Sequence, residues 1–375
     1  MHREATFSRS LLHDPTLVAA SHPPLVEFAL LRRRFALGST INPMATVAAP
    51  ALLTLQAFHD AQARIRGVAF RTPLVRLFAP GLDEAEVYVK AEGLQPIGSF
   101  KLRGAYNKIA QLTPEQRSRG VITYSSGNHA QGVAYAARAV GAKAVIVMPR
   151  NAPAVKKRAT TALGAEIVEV GPASSDRKSK AEELEAKFGY IMIPPYDDEQ
   201  IIAGQGTCGL EILEDLPGCD LVLAPVSGGG LLSGIATAIK LTRSATRVIG
   251  VEPELAADAQ ESFRSGALVS WPAEKTTRTL CDGLRTQSLG ERNFAHIRAY
   301  VDDIITVAES EIRAAMRTLL YAARLTPEPS GATAAAGLLF HSTELLPFRK
   351  AVIVMSGGNV EPEVLASVLA ENAQP

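Results

Sequence analysis

Lys101 lies in the run Gly98-Ser99-Phe100-Lys101-Leu102-Arg103-Gly104-Ala105, between a glycine turn and the first turn of an expected helix. An ammonium beside helix-terminus amides is well placed for an anionic cofactor, so the position suits a Schiff-base lysine. The same octapeptide also fits a solvated lysine on a helix face, so other residues must decide between the two. Ser227-Gly228-Gly229-Gly230-Leu231-Leu232-Ser233-Gly234 follows an apolar run and opens a second expected helix. Bare backbone amides converge there at a positive helix end, which is a phosphate cradle. The run matches neither GxGxxG with a downstream ribose acid nor GxxxxGK followed by Ser or Thr, which favours a monophosphate over a dinucleotide or nucleoside triphosphate. Glycines that merely permit tight packing are the alternative. Ser125-Ser126-Gly127-Asn128-His129-Ala130-Gln131-Gly132 is a third polar loop after an apolar run. Its Asn128 can donate to a phenolate oxygen, Ser126 can pass a proton, and its amides suit a carboxylate, although a plain helix N-cap would read the same way. Ser356-Gly357-Gly358-Asn359 closes the last apolar run and completes a rim of such loops.

The elements that must position these loops alternate. Val87–Lys90, Val121–Tyr124, Ala144–Pro149, Glu166–Val170, Leu221–Val226, Arg247–Val251 and Ala351–Met355 are apolar runs of strand length. Stretches of helix length lie between them, after Phe100, over Ala130 to Val140 and over Val155 to Leu163. Continuous apolar strands alternating with helices indicate an α/β fold with a parallel sheet covered on both faces. Ligands in such sheets bind at the carboxyl ends of the strands, where the loops stand.

At 375 residues, 47% hydrophobic and 21% charged, the chain is long enough for two packed lobes. A formal net charge of +1 and no basic stripe interleaved with aromatics point away from nucleic acid and membrane and towards a small-molecule substrate. Cys208, Cys219 and Cys281 are odd in number and widely spaced, which argues against a disulfide framework or a zinc site and fits the reducing cytoplasm. Residues 1–43 carry Arg32-Arg33-Arg34 and several prolines with no sustained period. Their apolar part precedes the arginines, the reverse of a secretory signal, and Glu4, Asp14 and Glu27 are foreign to a transit peptide. This stretch is expected to be a dispensable N-terminal extension, with Met44 a functional start.

The motifs GSFKLRGA, SSGNHAQG, IAGQGT, SGGGLLSG, VEPELAAD, CDGLRT, EPSGA and SGGN, in this order over roughly Thr72 to Val364, resemble the fold type II pyridoxal-phosphate enzymes. Within these the chain is similar to the threonine/serine dehydratases and serine racemase. The resemblance implies a two-lobed open parallel-sheet fold like the tryptophan synthase β-subunit. A large cofactor-binding domain would span 44–119 and 198–375, with a small domain inserted over 120–197. It implies a homodimer without the isoleucine-binding regulatory domain of biosynthetic threonine dehydratases.

Carried over residue by residue, the resemblance makes Lys101 the Schiff-base lysine and the base for the α-proton, with Phe100 packed near the cofactor ring. Asn128 would bond the cofactor's 3-hydroxyl, Ser227, Gly228, Gly229, Gly230 and Leu231 its phosphate, and Ser356 its pyridine nitrogen. An alcohol at that nitrogen enforces no pyridinium, which suits elimination of a β-hydroxyl better than transamination. Ser125, Ser126, Asn128 and His129 would receive the substrate carboxylate, and Ser126 would serve as the second acid in a racemase. Arg177 matches a racemase arginine near the substrate, while its very polar surroundings read as solvated surface. Glu252, the carbonyl of Ala256 and Asp258 match a divalent-metal site whose hard oxygens suit Mg2+ or Ca2+; a solvated acidic helix start is the alternative.

Ser227 stands where many relatives have a fourth glycine, and Cys281 replaces an alanine. Pro195-Tyr196-Asp197-Asp198 follows the dehydratase pattern. The expected activity is the deaminating dehydration of L-threonine or L-serine to 2-oxobutyrate or pyruvate and ammonia. Serine racemase with side dehydratase activity, or a 3-hydroxyaspartate dehydratase, is the alternative.

Overall fold

The computed structural model describes residues 50–371 apart from 80, 81, 83, 126, 153, 172 and 173. The extension 1–43, Met44 and Ser126 therefore lie outside the described residues. The strands are β1 (Leu74–Leu77), β2 (Glu86–Ala91), β3 (Val121–Tyr124), β4 (Ala144–Pro149), β5 (Glu166–Val170), β6 (Ile191–Met192), β7 (Leu221–Pro225), β8 (Arg247–Pro253), β9 (Asp303–Val307) and β10 (Lys350–Met355). They form a six-stranded sheet in the order β1-β2-β10-β7-β8-β9 and a four-stranded sheet in the order β5-β4-β3-β6.

The smaller sheet draws every strand from the segment Val121–Met192, between β2 and β7 of the larger one. All its pairings are parallel, as are those of the larger sheet except β1 with β2. That antiparallel pair departs from the all-parallel expectation. It lies at the sheet edge, where a second strand can return through a short connection and no crossover helix is needed.

The burial pattern follows the apolar runs. The strands β4 and β7 are buried along their whole length and β10 along all but its first residue, as strands covered on both faces must be. At the edge of the smaller sheet, β5 keeps Glu166 and Glu169 in solvent. The Ala-rich helix Pro329–Leu345 packs on β7, β8 and β10. Its small side chains, buried from Pro329 to Leu338, let the backbone come close to the sheet.

Helix starts are fixed by local chemistry. Asp198 caps the helix Glu199–Asp215 by accepting from the amides of Gln200 and Ile201, and it also takes the ammonium of Lys108 at 2.6 Å. Asp197 accepts from the amide of Arg292 at 2.9 Å. The two acids of the Pro195-Tyr196-Asp197-Asp198 motif are thus anchors for the chain around the site.

Candidate active site

Loops leaving the carboxyl ends of β2, β3, β6, β7 and β10 surround a cavity of about 250 Å3. It lies where open α/β sheets bind ligands. Phe100, Lys101, Ser125, Asn128, His129 and Arg177 line it, together with Ser227, Gly228, Gly229, Gly230, Leu231 and Ser356. Every described residue assigned to cofactor or substrate is therefore at this one cavity. Glu252, Ala256 and Asp258 are not among its lining residues.

Lys101 opens the helix Lys101–Ile109, which starts directly after the turn through Gly98. Its Nζ donates to the carbonyl of Pro195 at 2.8 Å and lies 5.2 Å from the centroid of the Phe100 ring. Burial takes water from the ammonium and lowers its pKa from 10.5 to about 8. A neutral, nucleophilic amine is thereby within reach near physiological pH, as a Schiff-base lysine requires. The solvated-lysine alternative does not describe this side chain.

The amide of Asn128 is held at both ends. Its Nδ2 donates to Glu328 Oε1 at 2.5 Å, and its Oδ1 accepts from Asn359 Nδ2 at 2.8 Å. Asn359 Nδ2 is itself fixed by the carbonyl of Ile97 at 2.9 Å. These partners set which way the amide points and leave the second Nδ2 hydrogen for an acceptor in the cavity. Burial and the charge of Asp282 push the Glu328 carboxyl up to about 7.

His129 is pushed down to about 3 by burial and by the charge of Lys101. Its Nε2 lies 3.0 Å from the Ile193 carbonyl, an acceptor, so Nε2 carries the proton. Nδ1 is buried without a partner among the described residues. The ring is neutral and its one proton is spent on Ile193, so the open Nδ1 can accept a hydrogen bond from a donor in the cavity but offers a carboxylate neither a proton nor a charge.

At the glycine run, Gly229 caps the helix Gly230–Thr242 with φ +94°, a left-handed conformation that suits glycine. A Cβ on Gly228 would meet the Tyr196 ring at 2.5 Å. Side chains are excluded, and the backbone amides at the helix start remain open to an anion. The Ser227 hydroxyl lies 2.6 Å from Thr286 Oγ1 and accepts from the Thr286 amide at 3.3 Å. This departure from the all-glycine pattern ties the cradle to the segment Asp282–Thr286. Ser356, 4% exposed, donates to the carbonyl of Ser330 at 3.5 Å and keeps a neutral oxygen on the cavity wall.

Arg177 lines the cavity, which corrects its reading as solvated surface. The helix Ser174–Phe188 has no apolar stripe, but its first turn abuts the site. Burial lowers the pKa of this guanidinium.

Among the lining residues that escaped the sequence reading of the site are Lys156, Tyr196, Arg285, Thr286 and Glu328. The motifs CDGLRT and EPSGA contain three of them, and the run Pro195-Tyr196-Asp197-Asp198 contains a fourth. Lys156, on the helix Ala154–Ala162, pairs with Asp282 and so links the segment that carries the smaller sheet to the larger one. Burial alone would lower its pKa, but the Asp282 carboxylate holds it above its ordinary value.

These features fit pyridoxal phosphate. The cavity offers a desolvated amine, a glycine cradle that a Cβ would obstruct, an oriented amide and a buried hydroxyl in one place. When bound, the cofactor supplies an electron sink that acidifies the Cα–H bond of an amino acid.

Known proteins agree with this geometry. The chain is 42% identical over 313 residues to the L-threo-3-hydroxyaspartate ammonia-lyase of Saccharomyces cerevisiae, covering 83% of this chain and 94% of that protein. It is 40% identical over 323 residues to the L-threonine ammonia-lyase of Thermotoga maritima, covering 85% and 78%. The structure of maize serine racemase superposes with a TM-score of 0.80 at 36% identity, covering 85% of this chain and 97% of that one. The family model for pyridoxal-phosphate dependent enzymes matches residues 65–357. With a desolvated lysine, a glycine turn at a helix start and an oriented amide gathered in one cavity, the chain belongs to the pyridoxal-phosphate dependent enzymes of fold type II.

Proposed function

We propose that this protein is an ammonia-lyase for β-hydroxy amino acids, converting L-serine or L-threonine to a 2-oxo acid and ammonia. The water lost on elimination is regained on hydrolysis, so no external oxidant or reductant is needed. The observation that carries the reading is Lys101, whose amine is desolvated at the wall of a cavity that also presents a neutral Ser356. The two ammonia-lyases at 40% identity or more support the reaction class.

The chain's own residues have distinct tasks in this reading. Lys101 Nζ, in its neutral form, accepts the α-proton; a positioned base of this kind contributes about 10² to 10⁴ in rate. The amides of the loop from Ser125 to His129 hold the substrate carboxylate, and the neutral ring of His129 beside them accepts from a donor. Asn128, oriented by Asn359, would hold the cofactor's ring hydroxyl, and the turn Ser227–Leu231 at a helix start would hold its phosphate. Serine racemisation is the second reading, supported by the maize enzyme's fold and by Arg177 on the cavity wall. Its second acid, Ser126, lies outside the described residues.

We also propose a Mg2+ or Ca2+ site at Glu252, the Ala256 carbonyl and Asp258. Glu252 is wholly buried and accepts from the amides of Ala259 and Gln260, while Asp258 Oδ2 is buried without a partner among the described residues. Burial raises the pKa of both carboxyls, and the Asp258 charge raises that of Glu252 further, a cost a cation would relieve. No group of three or more His, Cys, Asp or Glu side chains converges among the described residues, so backbone and water oxygens would complete the shell. A cytoplasmic homodimer is the proposed setting; the free, buried Cys208, Cys219 and Cys281 suit a reducing compartment. Among the described residues no helix is long and apolar enough to cross a membrane.

The test is incubation of the pure holoenzyme with L-threonine, L-serine, D-serine and both 3-hydroxyaspartate diastereomers. Ammonia, 2-oxo acid and chiral composition are followed with Mg2+ and with chelator. Equal amounts of ammonia and 2-oxo acid from an L-β-hydroxy amino acid are expected. Racemised serine without ammonia would replace the lyase reading with the racemase one.

A further inference from the structure

We infer that Arg285 is a specificity residue which selects a β-hydroxy amino acid carrying a second carboxylate. This rests on the ammonia-lyase reading and deepens it by naming the side chain the site takes. The walls of the cavity divide by task. Lys101, Asn128, Ser356 and the turn from Ser227 account for the cofactor, and the loop from Ser125 to His129 accounts for the α-carboxylate. The lining residues that remain include Tyr124, Arg177, Tyr196, Glu328 and the segment Asp282–Thr286 with Lys156 paired to it, and in this inference that segment is the wall that meets the substrate side chain.

That wall is polar and cationic, which is wrong for the methyl group of threonine. Arg285 donates from Nε and Nη2 to one backbone carbonyl, that of Thr279, at 3.0 and 2.5 Å. The carbonyl orients the guanidinium without neutralising it, and among the described residues no acid pairs with it. The two acids nearby are engaged elsewhere: Asp282 with Lys156, and Glu328 with the amide of Asn128. Asp282 and Lys156 cancel, and Glu328, pushed up to about 7, carries only part of a negative charge near neutral pH, so Arg285 leaves the wall with a net positive charge that is partly buried and already oriented. A planar fork held in this way matches a carboxylate. A serine bearing a carboxylate on Cβ, which is 3-hydroxyaspartate, brings that group to the side-chain wall. Arg177 also faces the cavity, but the inference does not depend on it.

The experiment separates binding from turnover. The holoenzyme and its Arg285→Leu and Arg285→Lys variants are titrated with L-aspartate and L-alanine, which lack a leaving hydroxyl, by following the bound cofactor's absorption band. Ammonia release from L-threo-3-hydroxyaspartate and L-serine is measured in parallel. The wild type is expected to bind aspartate about 30-fold more tightly than alanine, at the lower end of what a buried charge pair contributes. Arg285→Leu should lose this preference and Arg285→Lys should keep part of it. The ratio of kcat/KM for hydroxyaspartate over serine should fall in step. Equal binding of aspartate and alanine by the wild type, or a preference that survives in Arg285→Leu, would overturn the inference. Ammonia from neither substrate would overturn the ammonia-lyase reading instead, while the aspartate-to-alanine ratio would still decide the role of Arg285.

Discussion

The Lys101 amine shows how one residue's surroundings set its chemistry. Burial disfavours its charged form, the Pro195 carbonyl orients it, and no carboxylate pairs with it among the described residues to restore the charge. Only the neutral amine attacks an aldehyde. With a pKa of about 8, the neutral fraction of the apoenzyme falls by about tenfold per pH unit below that value and levels off above it. Stopped-flow absorbance of apoenzyme mixed with pyridoxal phosphate should therefore show a loading rate that climbs with pH and flattens above about 8. A climb continuing beyond pH 10 would mean that the amine is not desolvated. His129 contributes in the opposite way: its ring stays neutral, so it adds no charge to compete with Lys101 for an anion.

At the scale of the elements, the helix that carries Lys101 is fastened from below by a buried charge cluster. Arg103, fully buried, donates to both oxygens of Glu92 and both oxygens of Glu211, all at 2.7 to 2.8 Å, and to Thr207 at 3.1 Å. Lys90 on β2 joins Glu211 at 2.7 Å. The cluster ties β2, the turn Glu92–Leu94, the helix Lys101–Ile109 and the helix Glu199–Asp215 together. It also accounts for the arginine of GSFKLRGA and the threonine of IAGQGT, which meet in this cluster and do not line the cavity. Replacing Arg103 by Met would leave the buried Glu92 without a cation while Glu211 keeps Lys90, which costs about 3–5 kcal/mol. Urea denaturation should show the midpoint falling accordingly; a midpoint within the error of wild type would mean that the cluster is not holding the elements together.

Some of this was legible in the sequence and some was not. The loops after β3, β7 and β10 announced themselves because Gly, Ser and Asn follow apolar runs abruptly. The two-residue β6 is too short for any periodicity, and the antiparallel β1 carries an arginine that masks its apolar character. Lys156, Arg285 and Glu328 were missed at the site because each owes its place to tertiary contacts across separate segments.

For the molecule as a whole, the two sheets present the carboxyl ends of their strands to a single cavity. The loops of the smaller sheet supply Ser125, Asn128 and Arg177, and those of the larger one supply Lys101, the glycine turn and Ser356. Lys156 on one side and Asp282 on the other pair across the cavity wall. The arrangement converges on one amine, so the account depends most on that amine. The decisive measurement is a comparison of wild type and Lys101→Ala, each reconstituted with pyridoxal phosphate and supplied with L-serine, L-threonine and L-threo-3-hydroxyaspartate. The account predicts that the variant loses the Schiff-base absorption band, its reduction by borohydride, and all 2-oxo acid release, while circular dichroism shows it folded. Oxo acid formed by the Lys101→Ala variant at a rate near that of wild type would contradict it.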